Sequence, residues 1–171
     1  MTYSIAIIGL GLIGSSLACD LSQWSKKISI TGYDIDEETK QWCLQKGMID
    51  RIAESPQLAA KGSDLIFIAT PVRVIPKIYS DIHSHLLPQA MVFDLGSTRQ
   101  WVFDHLIPAP NKNLYCGFHP MGGGVEGGAR FAQQKLFKGR PLLVTPYRSF
   151  KDGEKNIIEE ITNCLESRVF F

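Results

Sequence analysis

The sequence predicts an α/β fold: a doubly wound, mainly parallel sheet with helices on both faces. Two observations carry this. Short apolar, β-branched runs alternate with helical stretches along the chain. The strand-like runs are apolar throughout rather than on alternate residues, as in strands buried on both faces. The length of 171 residues suits one domain, which typically takes about 150.

Tyr3 to Gly9 (YSIAIIG) reads as the first buried strand. Ile13 to Trp24 follows as a helix, with Ile13, Leu17 and Leu21 four apart on one face. Ile28 to Tyr33 is a second strand, ending at Asp34. Glu37 to Lys46 is a helix whose end charges match its dipole, and Gly47 stops it. Asp64 to Ala69 is a third strand, closed by Thr70-Pro71. Val74 to Leu86 reads as one helix, with Pro76 tolerated in its first turn. Met91 to Leu95 is a fourth strand and Thr98 to His105 a short helix. Leu114 to Phe118 and Pro141 to Thr145 are the fifth and sixth strands. Gly153 to Leu165 is a helix, and Arg168 to Phe171 begins a last strand. Gly117 to Leu136, rich in glycine, is left as an irregular stretch long enough to be functional.

Lys plus Arg number 18 and Asp plus Glu 17, a net charge of +1. No basic excess points to nucleic acid, and no basic block points to an anionic membrane. The apolar runs fall far short of a membrane span, and no secretory leader opens the chain. Cys19, Cys43, Cys116 and Cys164 have neither metal-clip nor disulfide-scaffold spacing and read as ordinary thiols of a reducing compartment. A cytoplasmic protein without a structural metal is expected.

The first strand runs into Gly9-Leu10-Gly11-Leu12-Ile13-Gly14, a G-x-G-x-x-G turn. Gly9 permits the tight turn, Gly11 the approach of a pyrophosphate to the backbone, and Gly14 close packing of helix on sheet. The following helix aims its free N–H groups at the phosphates, and Leu12 and Ile13 in the turn are counted with the glycines as cofactor-binding. Asp34 stands 20 residues past Gly14 at the end of the second strand, placed to accept from the ribose hydroxyls. The sheet is thus of Rossmann type and the ligand a dinucleotide. A carboxylate repels a 2′-phosphate, and no arginine adjoins it in Ile35-Asp36-Glu37, so NAD is favoured over NADP.

Further along stand ATPV (69–72), DLGSTR (94–99), GFHPMGGG (117–124) and LFKGRPLLVTP (136–146). With GLGLIGSSLA (9–18) they occur in the order, and with the wording, that resembles the nucleotide-binding domain of the prephenate and arogenate dehydrogenases. The resemblance spans essentially the whole chain. It implies NAD-dependent oxidative decarboxylation of prephenate or arogenate on the route to tyrosine. His119 then engages the ring hydroxyl of the substrate, Ser97 supports the same polar cluster, and Thr70 and Pro71 pass under the nicotinamide. The family often reads Ala-Gly-Ser/Thr-Glu-Lys after its His-Pro-Met, where this chain has Gly122-Gly123-Gly124-Val125-Glu126. Family members also continue into a helical domain that dimerises and supplies an arginine for a substrate carboxylate. That domain is expected to be absent from this chain, with a homodimer only where it exists. Arg99 and Arg130 are the cations nearest the motifs.

The residues alone allow other readings. His119 is suited to take a hydroxyl proton, since imidazole has a reference pKa of about 6.5, or merely closes a strand. Ser97 suits the N-cap of the helix beginning near Thr98. Asp94 suits a structural strand end. His83, His85 and His105 sit late in helices, where a partial positive charge is favoured, and Trp24, Trp42 and Trp101 suit packing. Another NAD(P)-linked oxidoreductase, of β-hydroxyacid dehydrogenase or imine reductase type, and a non-catalytic dinucleotide-binding module are the alternatives.

Overall fold

A computed structural model describes residues 2–110, 112–124 and 126–171. Its strands are β1 (Thr2–Ile8), β2 (Lys27–Tyr33), β3 (Arg51–Ile52), β4 (Leu65–Ile68), β5 (Met91–Asp94), β6 (Leu114–Pro120), β7 (Pro141–Pro146) and β8 (Arg168–Phe170). The helices are α1 (Leu12–Leu21), α2 (Glu37–Gln45), α3 (Pro56–Ala60), α4 (Ile75–Ile82), α5 (Arg99–Asp104) and α6 (Glu154–Cys164). One sheet runs in the order β3-β2-β1-β4-β5-β6-β7-β8. Every neighbouring pair is parallel except β6 with β7.

The apolar strands explain the layering. Ile5, Ile7, Leu65, Phe67, Phe93 and Phe118 point to one face, under α1 and α6. Ala6, Ile8, Ile66, Ile68, Val92 and Tyr115 point to the other, under α3, α4 and α5. Phe67 stacks on Phe93 at 5.0 Å, and Phe118 meets both edge-on. Burying both faces is what makes these strands read as continuous apolar runs.

Four sequence expectations change. The strand Arg51–Ile52 and the five-residue helix Pro56–Ala60 are additional. The stretch from Val74 to Leu86 is not one helix: 3₁₀ turns at Val72–Val74 and His83–His85 flank α4. The fifth expected strand does not end at Phe118 but continues to Pro120, because β7 pairs with it there, His119 opposite Leu143 and Pro120 opposite Leu142. Finally, Trp101 is 37% exposed and stacks on His105 rather than packing inside.

The irregular stretch is tied down towards its C-terminal end. It contains a 3₁₀ turn at Ala129–Phe131 and is fastened to α1 by two buried side chains. Ser16 Oγ accepts from Gln133 N at 3.0 Å, and Asp20 Oδ1 from Lys135 N at 2.6 Å. Burial pushes the Asp20 carboxyl above its ordinary range, opposed by that amide. Val125 lies outside the described residues. Among the described residues no helix is long and apolar enough to cross a membrane.

The entry to α6 is held by a two-pronged ion pair. Arg148 donates to both carboxylate oxygens of Glu154 at 2.9 and 2.7 Å, and Lys151 N adds a bond of 2.7 Å. The hydrogen bonds from Arg148 lower the Glu154 pKa first, with the Lys151 amide helping. A depressed carboxyl contributes stability above its unfolded value that is lost as pH falls through the folded one. Glu154→Gln is therefore expected to cost about 1–2 kcal/mol at pH 7. The deficit shrinks towards zero as the pH falls below the ordinary glutamate value of 4.5. Urea denaturation at neutral and acid pH measures both.

Candidate functional site

β1 lies between β2 and β4, so the chain's first crossovers diverge from it in opposite directions. This is the switch point at which an open α/β sheet leaves a crevice beyond its strand carboxyl ends. Gly9, Asp34, Ala69-Thr70, Leu95-Gly96-Ser97 and His119 all stand at that edge, following or ending β1, β2, β4, β5 and β6.

The glycine turn is compact because its glycines leave no room for side chains. Gly9 has φ +97°, and a Cβ there would lie 2.7 Å from Ala69 O. A Cβ at Gly14 would lie 2.0 Å from Gly9 O, so α1 rests directly on the turn. Gly11 differs: nothing lies within 4 Å of where its Cβ would be. Its open side adjoins the start of α1. The first helical hydrogen bond runs from Ser15 N to Gly11 O at 3.0 Å. The amides of Leu12, Ile13 and Gly14 precede it and have no intrahelical acceptor. Open space at Gly11 beside unpaired amides at a helix N-terminus fits a pyrophosphate.

Asp34 is wired into this turn. Its Oδ2 accepts from Leu10 N at 2.7 Å and its Oδ1 from Asp36 N at 3.0 Å. Gly9 N donates to Tyr33 O at 2.8 Å, and Ser15 Oγ to Leu10 O at 2.9 Å. A carboxylate offers about four acceptor positions, so capacity remains for two ribose hydroxyls. Asp34 thus has a second task, holding the turn, that the sequence spacing did not show. Thr70 Oγ1 is buried without a hydrogen-bond partner, a polar atom beside the crevice that a ligand can satisfy. Pro71 follows it, exposed.

His119 is half-buried near the end of β6, within the strand rather than after it. Its Nδ1 lies 3.1 Å from Leu95 O. A carbonyl only accepts, so Nδ1 carries the proton in this contact, and in the neutral ring the lone pair then lies on Nε2. Ser97 is exposed and is not the N-cap of α5. Thr98 occupies that position, and its side chain makes no capping bond. Ser97 is thereby released from the structural role and stands one residue beyond the Leu95-Gly96 peptide.

Neither arginine nearest the motifs is free. Arg99 is bound to Asp94 Oδ2 and Gly96 O, and Arg130 lies over the Trp42 ring at 5.0 Å. Asp94, fully buried, is the structural strand-end carboxylate expected. His83 and His105 place Nδ1 2.7 Å from the carbonyls of Ser80 and Trp101, within their own turns. What the sequence reading missed is the backbone: the Leu95 carbonyl carries no side-chain signal.

Known proteins supply the context. The sequence profile described as "Prephenate dehydrogenase, nucleotide-binding domain" matches residues 17–170. The chain is 31% identical to the prephenate dehydrogenase of Bacillus subtilis over 168 residues, 97% of this chain and 44% of that protein. It is 28% identical to the cyclohexadienyl dehydrogenase of Zymomonas mobilis, over 83% of this chain and 48% of that one. The chain thus spans less than half the length of these curated relatives. Among solved structures it superposes on Aquifex aeolicus prephenate dehydrogenase in complex with hydroxyphenyl propionate and NAD+. The TM-score is 0.86 at 23% identity, covering 98% of this chain and 59% of that one. Synechocystis arogenate dehydrogenase gives 0.87 at 23% identity, covering 98% and 58%. At that identity the superpositions establish the shared fold. With the profile covering nearly its whole length, the chain belongs to the family of prephenate dehydrogenase nucleotide-binding domains.

Proposed function

We propose that this chain is the NAD-binding and proton-accepting part of a dehydrogenase that oxidatively decarboxylates prephenate or arogenate. The observation that carries the reading is His119, its Nδ1 3.1 Å from Leu95 O and its Nε2 the ring nitrogen left for a substrate, at the same sheet edge as the glycine turn. The relative crystallised with NAD+ and hydroxyphenyl propionate supports both ligands. Gly9, Gly11, Leu12, Ile13 and Gly14 would hold the pyrophosphate, Asp34 the adenosine ribose, and Thr70 and Pro71 the nicotinamide end. When bound, NAD supplies the acceptor for the hydride that leaves the ring carbinol carbon. His119 takes the hydroxyl proton at Nε2, which makes that loss easier. Ser97, freed from capping, supports the substrate hydroxyl. The ring then loses its carboxylate as carbon dioxide and becomes aromatic.

Prephenate is a dianion, and an unpaired carboxylate in a closed site costs several kcal/mol. With Arg99 and Arg130 both engaged, we assign the substrate's carboxylates to cations in the length its relatives have beyond this match. The test is NADH formation from NAD and either substrate. The 171-residue chain is expected to bind NAD yet turn over slowly or not at all, and a longer chain to turn over. Efficient catalysis by the 171 residues alone would overturn the division of labour. NAD binding without turnover in the longer chain would leave a dinucleotide-binding module instead.

Cofactor choice is set at Asp34. Asp34→Ser with Ile35→Arg is expected to shift relative affinity from NAD towards NADP by at least about tenfold, since a repelling charge becomes an attracting one. Serine keeps a hydroxyl acceptor for Leu10 N, which Asp34 now holds. Isothermal titration with both nucleotides measures the shift, and an unsubstituted chain that prefers NADP would refute the assignment.

A further inference from the structure

Behind His119 runs a series of buried polar contacts with no assigned purpose. Leu95 and Gly96 share one peptide group, planar and stiff. Its carbonyl end accepts from His119 Nδ1 at 3.1 Å. Its N–H end donates to Asp94 Oδ1 at 3.0 Å. The other Asp94 oxygen accepts from Arg99 Nη1 at 2.5 Å, and Arg99 Nη2 donates to Gly96 O at 3.0 Å. Arg99 is also seated on the strand that carries His119. A Cβ at Gly117 would fall 1.9 Å from Arg99 Cζ, so the guanidinium lies on bare backbone two residues before the histidine. The Phe103 ring is 5.4 Å from the guanidinium carbon.

We propose that Asp94 and Arg99 are a positioning pair for His119. They lock the Leu95-Gly96 peptide so that its carbonyl holds the imidazole in the Nδ1–H tautomer and leaves Nε2 basic. The role resembles that of a carboxylate that orients a histidine directly, with a rigid peptide inserted as spacer. It rests on the reading of His119 as base and deepens it.

The electrostatics explain why both partners are needed. Asp94 is fully buried, and burial pushes its carboxyl up, against the Arg99 guanidinium and the Gly96 amide, which favour the anion. Without Arg99 the buried carboxyl loses the charge that most favours its anion, and its hold on the Gly96 amide weakens. The peptide is then free to rotate, and the imidazole loses its fixed acceptor. Gly117 belongs to the same device, because any side chain there displaces the guanidinium.

The tautomer is read directly by ¹⁵N NMR of the histidine-labelled 171-residue chain, without substrate or cofactor. The His119 signals are those lost in His119→Asn. Above the imidazole titration, the unsubstituted chain is expected to show a protonated Nδ1 and a bare Nε2. Arg99→Met strands a buried carboxylate, so Asp94→Val/Arg99→Met, which removes both charges, is its companion. In each, the Nδ1–H population is expected to fall by at least about twofold. Arg99→Lys, which keeps a cation beside Asp94, is expected to retain most of it. An unchanged population in either folded variant overturns the proposal, as does an Nε2–H ground state in the unsubstituted chain. If neither variant folds, couplings across the Gly96–Asp94 and His119–Leu95 hydrogen bonds in the unsubstituted chain decide. Both are expected, and absence of either refutes the relay. No turnover enters these measurements. Failure of His119 as base would show separately, as retained activity of His119→Asn in the longer chain.

Discussion

His119→Asn is expected to lower turnover by roughly 10²- to 10⁴-fold in a chain of its relatives' length, while leaving NAD affinity within about twofold. The substitution is chosen for its fit. The amide N–H₂ of asparagine can donate to Leu95 O as Nδ1 does, so the local geometry survives. The base does not, because a carboxamide has no nitrogen able to take a proton near neutral pH. The loss belongs in kcat and kcat/KM alike, since the interaction forms only as the proton leaves. Steady-state assays on both forms measure this, and near-normal turnover of the asparagine variant would remove His119 from the chemistry.

Gly14→Ala and Gly11→Ala are expected to fail in different ways, three residues apart. At Gly14 the new methyl would sit 2.0 Å from Gly9 O and 3.2 Å from Ala69 Cβ. Both neighbours sit on the turns that leave β1 and β4, so α1 must back away from the sheet. Overpacking of this kind costs about 3 kcal/mol or more, with cofactor binding lost alongside. At Gly11 the methyl meets nothing, and stability is expected to stay within about 0.5 kcal/mol. It would, however, occupy the space that a pyrophosphate needs, weakening NAD by more than tenfold, or about 1.4 kcal/mol. Urea denaturation and NAD titration on both variants separate the effects. A Gly11 variant of full affinity would refute the phosphate assignment.

The parts of the fold legible in the sequence are those in which one residue pattern serves one neighbour. The buried strands announce themselves because both faces are covered. The glycine turn does so because each glycine meets its own steric limit. The two-residue β3 had no such signature, since it pairs only through Thr31 and Gly32. α3 did leave one: Ser55 caps Leu58 N and Pro56 stands in the first turn, a start signal on a helix too short to show periodicity. His119 was identified as a residue but misplaced against its strand. Proline usually ends a strand, yet here the antiparallel β7 continues the ladder past it. In the sequence Arg99 stands out only as a cation near the motifs. Its actual partners are a buried aspartate, a carbonyl and the bare backbone of Gly117, a combination assembled by tertiary contact alone.

The polar ridge on α1 has a consequence for how the chain is born. Ser16 and Asp20 find their partners at Gln133 and Lys135, separations of 117 and 115 residues. At roughly 10 residues per second, a ribosome completes the first helix about ten seconds before it delivers those amides. Until then, docking the ridge inward would strand a hydroxyl and a carboxylate, so that flank of α1 stays in water. The early strands can assemble around β1, with the glycine turn, Asp34 and Thr70 all made, while this flank of α1 is still open. The cover on α1 thus arrives late in synthesis. Nascent chains stalled before residue 133 are expected to be cut within α1 by a protease far more readily than the full 171-residue chain.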